Sequence, residues 1–153
     1  MSGHAPALAD RLHAGVLVDL TVPARAARLQ VIRLTVDWAA GEAGFAQTAR
    51  ENLVLAVDEA CQNVIRHGYG GDSDGLLRVR AETGGDALVV RVIDAAPPVD
   101  PAQIRSRPPG EPGPGGHGAR LMRELLDEVA YEETGSETGN VLRLAKRLEG
   151  ATG

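Results

Sequence analysis

The apolar patterning predicts an α+β fold, a two-layer sandwich with helices on one face of a mostly antiparallel mixed sheet. Three observations lead there. Strand-like segments bunch into hairpins instead of alternating with helices. Two long segments in the first half carry apolar residues at helical spacing. Aromatic residues make up only 3% of the chain, so the core must be aliphatic, built from Val, Leu, Ile and Ala.

Residues 1–12 show no clear period and are expected to form a disordered tail, which leaves residues 13–149 as one domain. Gly15 to Pro23 reads as a strand ended by Pro23. Ala24 to Ala40 reads as a helix. Ala27, Val31, Leu34 and Trp38 share one face, and Leu29, Ile32 and Val36 share the opposite one. A helix apolar on two sides is expected to touch both the core and a partner, such as a second copy of the chain. Gly41 and Gly44 close it, and Thr48 with Glu51 fits a T-x-x-E capping box that opens a second helix.

On that second helix Leu53, Val57, Ala60 and Val64 form the apolar face, widened by Val54, Cys61 and Ile65. Asn52, Glu59, Asn63 and Arg66 fall in one narrow polar stripe at about 100° per residue. Gly68 and Gly70 end the helix. Leu76 to Glu82 and Ala87 to Asp94 read as a hairpin around Thr83-Gly84-Gly85-Asp86. Pro97 to Gly118 is rich in Pro and Gly, and a loop that long inside a domain is usually functional or disordered. Ala119 to Leu126 reads as a short helix. Glu128 to Glu133 and Val141 to Lys146 read as strands.

A chain of 153 residues can bury roughly two thirds of its unfolded surface without a disulfide or metal staple. Cys61 is the single cysteine, which argues for a reducing compartment. No apolar run approaches the roughly 20 residues of a membrane span, and the first residues carry no export signal core. The expected location is the cytoplasm. The net charge is −5 with the signs interspersed, unlike the basic stripe of a nucleic-acid binder. His4, His13, His67 and His117 lack ligand spacing, so no zinc site is read.

Chemistry concentrates in ENLVLAVDEACQNVIRHGYG, residues 51–70. Glu59 and Asn63 stand one helical turn apart. A carboxylate there can serve as general base, and a carboxamide oxygen suits a hard cation such as Mg²⁺. The same spacing also occurs on plain solvated helix faces. Here the other face of the helix is thoroughly apolar and a glycine-marked terminus is near. Asp94 ends a β-branched strand, where it can accept a hydrogen bond from an exocyclic amine or simply start a turn. Gly113 to Gly118 matches G-x-G-x-x-G, but no strand precedes it, so it is not a dinucleotide fingerprint. It does lead into a helix N-terminus, where free N–H groups favour an anion.

Three segments then stand in a telling order. VDEACQNVIRHGY resembles the N box of the GHKL ATPase superfamily, and specifically of anti-sigma-factor serine kinases of the RsbW and SpoIIAB type. VVRVIDAAPPVDP resembles their next box, and GGHGARLMRELLDEVAYE their second glycine box. GNVLRLAKRL resembles their closing strand. The resemblance covers residues 14 to 148, nearly the whole chain.

The resemblance implies a Bergerat ATP-binding fold that binds ATP and Mg²⁺. It implies Glu59 as the general base acting on a protein serine, and Asn63 as the Mg²⁺ ligand. Asp94 is implied to hold the adenine amine, with Ala96 beside it. Arg66 and His67 are implied to line the phosphates. Gly115, Gly116, His117, Gly118 and Ala119 are implied to wrap them, with Leu121 close by. The implied partners are a STAS-domain anti-sigma antagonist as substrate and a sigma factor bound by a homodimer.

The chain departs from the family pattern at Ala96, where Gly is usual, and at Val141, where the closing strand often has Thr. A methyl at residue 96 is expected to crowd the adenine and to resist positive φ. Val141 is expected to remove a hydroxyl, and together the two changes weaken ATP binding by about 1–3 kcal/mol. An alternative reading follows, a catalytically weak or inactive binding module that sequesters a partner.

Overall fold

The structure, a computed structural model, describes residues 15–99, 117–134 and 139–148. The tail expected at 1–12 and most of the glycine-proline segment lie outside the described residues. The elements in order are β1 (Val16–Pro23), a 3-10 turn (Ala26–Arg28), α1 (Leu29–Ala43), α2 (Gln47–Asn63) and a π-helical turn (Val64–Gly68). Next come β2 (Leu76–Gly84), β3 (Ala87–Asp94), α3 (His117–Leu125), β4 (Glu128–Glu132) and β5 (Asn140–Arg147).

The strands form one five-stranded sheet in the order β1-β2-β3-β5-β4, and every pairing is antiparallel. The sheet's inner face meets the helices. Leu77, Val79 and Ala81 of β2 stand opposite Asp94, Val92 and Val90 of β3. Asp94, Val92 and Val90 in turn face Asn140, Leu142 and Leu144 of β5. The period of two therefore lays one apolar row after another under the helices, and it carries the polar pair Asp94 and Asn140 onto the same inner face at one end.

On α1 the buried side is Leu29, Ile32, Val36, Ala39 and Ala40. Val31, Leu34 and Trp38 lie on the solvent side, with Trp38 52% exposed. Of the two apolar faces read in the sequence, the Leu29/Ile32/Val36 face is the core face. The helix starts later than Ala24 because three contacts fix the preceding residues. Ala24 N–H donates to Gly75 O at 2.9 Å, Ser73 N–H donates to Ala24 O at 2.9 Å, and Ala26 N–H donates to Asp72 Oδ1 at 2.9 Å. It runs through Gly41 and ends at Gly44, whose φ of +103° suits glycine.

The expected Thr48/Glu51 capping box does not form. Ala46 is the N-cap of α2 without a side-chain bond, and Gln47 Nε2 donates to Glu51 Oε1 at 2.9 Å instead. Ala49, Leu53, Ala56, Val57, Ala60 and Cys61 are the buried face of α2. Ile32, Leu53, Leu77, Leu88 and Leu144 are fully buried, and truncating any of them to Ala should cost about 2–5 kcal/mol.

The sheet's outer face mixes apolar residues such as Val89, Ile93, Val141 and Ala145 with a row of charged side chains. Arg80, Arg91 and Arg143 stand directly opposite one another on β2, β3 and β5. Like charges so placed repel. Carboxylates interleave with them, and Arg91 pairs with Glu82 and Glu132 while Arg143 pairs with Glu128. Among the described residues, no helix is long and apolar enough to cross a membrane.

Candidate functional site

The site is assembled from the C-terminal half of α2, the π-helical turn, the end of β3, the start of β5 and the first turn of α3. Glu59 and Asn63 lie on the flank of α2, both half-buried, with the Glu59 side chain 21% exposed. That flank faces α3. A Cβ built on Gly118 would come within 2.9 Å of Glu59 Cγ and 3.0 Å of Cδ, and nearer still to Oε1. Gly118 is thus where the N-terminus of α3 meets the carboxylate, and no larger residue fits without displacing it.

Arg66 reaches back over the same pair. Its Nη2 donates to Glu59 Oε1 at 3.4 Å and to Asn63 Oδ1 at 3.5 Å, both long bonds from a half-exposed side chain. The wide π-helical turn sets this arrangement, burying Ile65 and leaving Arg66 and His67 exposed. Such turns recur at functional sites.

The second cluster sits at the end of β3. Asp94 is 7% exposed. Its Oδ1 accepts from Asn140 Nδ2 at 2.9 Å and from Ala96 N–H at 2.9 Å. No described residue donates to Oδ2. Burial raises the carboxyl above the usual aspartate range, and the two hydrogen bonds pull it part of the way back. Tyr131 of β4 shares this environment, and burial followed by the nearby Asp94 charge pushes its hydroxyl up to about 12.

Gly68 and Tyr69 tie the two clusters together. A Cβ on Gly68 would stand 3.1 Å from the Ala96 methyl. Tyr69 Oη donates to Leu76 O at 2.7 Å and accepts from Ala95 N–H at 2.9 Å. The chain after Asp94 is therefore fixed to the turn after α2.

The two departures from the family pattern find their places here. Ala96 does not take a positive φ, and its methyl is buried against Gly68 with 1% exposure. Val141 stands opposite Ile93 and Glu132 on the outer face. The inward polar position of the closing strand belongs to Asn140, opposite Asp94.

Of the residues singled out in the sequence, Glu59, Asn63, Arg66 and Gly118 come together, and Asp94 and Ala96 form the second cluster. Ala119 is 1% exposed, so its methyl belongs to the core, and Leu121 is half-buried. His117 opens α3. Gly115 and Gly116 lie outside the described residues. The sequence reading missed Asn140, Gly139, Tyr69 and Tyr131. The Gly139-Asn140 pair before the closing strand was the available signal for the first two. Cys61 is buried and free, its thiol pushed up by burial and then by Asp58, as suits a small core residue.

The donor set suits a magnesium nucleotide. A buried carboxylate with one oxygen unsaturated can take an amine, and a glycine at a helix start lets phosphate approach backbone N–H. Among the described residues no group of three or more His, Cys, Asp or Glu side chains could hold a metal. A lone carboxamide oxygen such as Asn63 Oδ1 is the kind of ligand a hard cation takes when phosphate and water oxygens complete its shell.

Comparison with known proteins identifies the family. Residues 22–146 match the histidine kinase-like ATPase domain family. The chain is 31% identical over 147 residues to the serine-protein kinase RsbW of Halalkalibacterium halodurans, covering 91% of this chain and 88% of that one. It is 30% identical over 141 residues to RsbW of Bacillus subtilis, covering 87% and 86%. Among solved structures, the SiaB–SiaC complex from Pseudomonas aeruginosa aligns with a TM-score of 0.62 at 12% identity, covering 90% of this chain and 92% of that one. The RsbU and RsbW domains of a Mycobacterium tuberculosis protein align at 0.61 and 22%, covering 86% of this chain and 32% of that one. At those identities the structures show a common fold. With the family pattern spanning residues 22–146 and relatives about 30% identical over most of both chains, the chain belongs to the histidine kinase-like ATPase domain family, within its group of RsbW-type serine-protein kinases.

Proposed function

We propose that this chain is an ATP-dependent serine kinase acting as an anti-sigma factor in a partner switch, with a STAS-domain antagonist as its substrate. The observation that supports this most is the contact of Gly118 with Glu59, which puts a helix N-terminus and a carboxylate at one point. In this reading Glu59 takes the proton from the substrate serine hydroxyl, a step worth roughly 10²–10⁴ in rate. Asp94 accepts the adenine amine, with Ala96 packed beneath. Backbone N–H groups from Gly115, Gly116, His117, Gly118 and Ala119 receive the phosphates, and Leu121 backs that turn.

Arg66 and His67 stand at the phosphate end, where the guanidinium can exchange its long bonds to Glu59 and Asn63 for phosphate oxygens. Asn63 would hold Mg²⁺, which when bound neutralises charge on the transferring phosphoryl group. Phosphorylation would add about −1.5 to −2 charges to the antagonist surface and release it. A sigma factor bound by a homodimer in the cytoplasm completes the proposal. The exposed Val31, Leu34 and Trp38 on α1 supply apolar surface for protein contacts.

The test uses labelled ATP, Mg²⁺ and a candidate STAS protein. Phosphoserine should form on the STAS protein, and Glu59→Ala should abolish it. Transfer that persists in that variant would overturn the assignment of the base.

A further inference from the structure

Asn140 has a role that neither the family match nor the sequence patterning assigns. It lies 46 residues from Asp94 in sequence, opposite it in the β3–β5 register, and is 7% exposed. Its carboxamide is used on both sides. Nδ2 donates to Asp94 Oδ1 at 2.9 Å and to Pro97 O at 3.1 Å, and Oδ1 accepts from Val99 N–H at 2.7 Å.

The backbone just before it is also committed. Gly139 N–H donates to Ala96 O at 2.8 Å. Gly139 has a φ of +89°, and a Cβ there would come 2.8 Å from Asp94 O. The close approach of the two strands thus requires glycine at 139, and it delivers the next side chain onto the carboxylate.

We propose that Asn140 is the positioning residue for base recognition: it saturates Asp94 Oδ1 and so presents Oδ2 as the acceptor for the exocyclic amine of an aminopurine. The argument is one of hydrogen-bond direction. An amide N–H can only donate and a carboxylate can only accept. With Oδ1 taken by Asn140 and by Ala96 N–H, the carboxylate cannot rotate without breaking two bonds. A ligand meeting it must bring a donor, and a purine with hydrogen at that position cannot satisfy it. Asn140 touches no nucleotide in this account and acts only through Asp94. The proposal rests on the reading of Asp94 as the base acceptor.

The experiment is calorimetric titration of the full chain with Mg²⁺-ATP and with Mg²⁺-purine riboside triphosphate, which lacks the amine. The unsubstituted chain should prefer ATP by about 10- to 100-fold, the worth of a hydrogen bond to a charged group. In Asn140→Ala that preference should shrink to about threefold or less, chiefly by weakening ATP. If the alanine variant does not fold, Asn140→Leu, close in volume and unable to donate, carries the same expectation. In an Asp94→Ala background, Asn140→Ala should leave the ratio unchanged.

Equal weakening of both nucleotides by Asn140→Ala would overturn the positioning role and reduce Asn140 to a structural strap, while nucleotide binding itself would stand. Failure of the unsubstituted chain to bind either nucleotide would overturn both this proposal and the reading it rests on.

Discussion

Gly118 in the first turn of α3 lies directly against the side chain of Glu59 on α2, so close that a single methyl group cannot be added without moving the carboxylate. Gly118→Ala should therefore displace Glu59 while leaving the core under α3 intact, because Ala119 and Met122 make that contact. Phosphotransfer should fall by about 100-fold or more, as general-base geometry is lost. Melting temperature should shift by no more than about 4 °C. A variant that keeps its rate would show that Glu59 has room to serve from elsewhere.

Asp94 makes the opposite kind of prediction, one in which stability and function separate. Its folded carboxyl is raised by burial. A raised group adds stability below its ordinary value and loses it as pH rises through the folded value. At neutral pH the ionised side chain is thus a burden on the fold. Asp94→Asn keeps the shape without the charge, so its melting temperature at neutral pH should equal or exceed that of the unsubstituted chain. The gap should close as the pH is lowered to about 4. ATP affinity should drop by about tenfold or more, since Oδ2 no longer presents a charged acceptor. Strong destabilisation of this variant at neutral pH would contradict the account.

Tyr69 joins the turn after α2 to the chain after Asp94 through one hydroxyl that donates to Leu76 O and accepts from Ala95 N–H. Tyr69→Phe removes both bonds and nothing else. Chemical denaturation should show a loss of about 1–3 kcal/mol. A change within error would mean that water replaces the hydroxyl without penalty.

The two departures from the family pattern should prove nearly silent toward nucleotide. The Ala96 methyl packs on Gly68, and Val141 points to the outer face of the sheet. Ala96→Gly and Val141→Thr should each change ATP affinity by less than about threefold, with Ala96→Gly costing roughly 0.5–1 kcal/mol of stability from added backbone freedom. Tighter binding by tenfold in Ala96→Gly would restore the view that the methyl crowds the base.

The layers and most element boundaries were legible because they follow from local period. Leu53, Val57 and Ala60 repeat at helical spacing, and Leu77, Val79 and Ala81 alternate, so each segment declares its buried face. The Glu59/Asn63 pair was legible for the same reason, being four residues apart on one helix. What the sequence could not show depends on partners distant in the chain. The late start of α1 comes from bonds to Asp72, Ser73 and Gly75. The capping box is a local miss: the helix already begins at Gln47 with Ala46 as its N-cap, so Thr48 lies inside the first turn and cannot cap it. Asn140 gains its meaning only from a register that sets it across from Asp94, and the same register turns Val141 to the opposite face, because one residue's shift reverses a strand's faces.

The most direct test of the central claim is a crystal structure of the chain grown with excess AMP-PNP and Mg²⁺. The account predicts the base amine on Asp94 Oδ2, the phosphates at the N-terminus of α3, and Asn63 Oδ1 on the metal. A nucleotide bound elsewhere, or the protein's own side chains packed against Asp94 Oδ2 and the N-terminus of α3 in its place, would contradict it and leave the chain as a binding module with an ATPase fold.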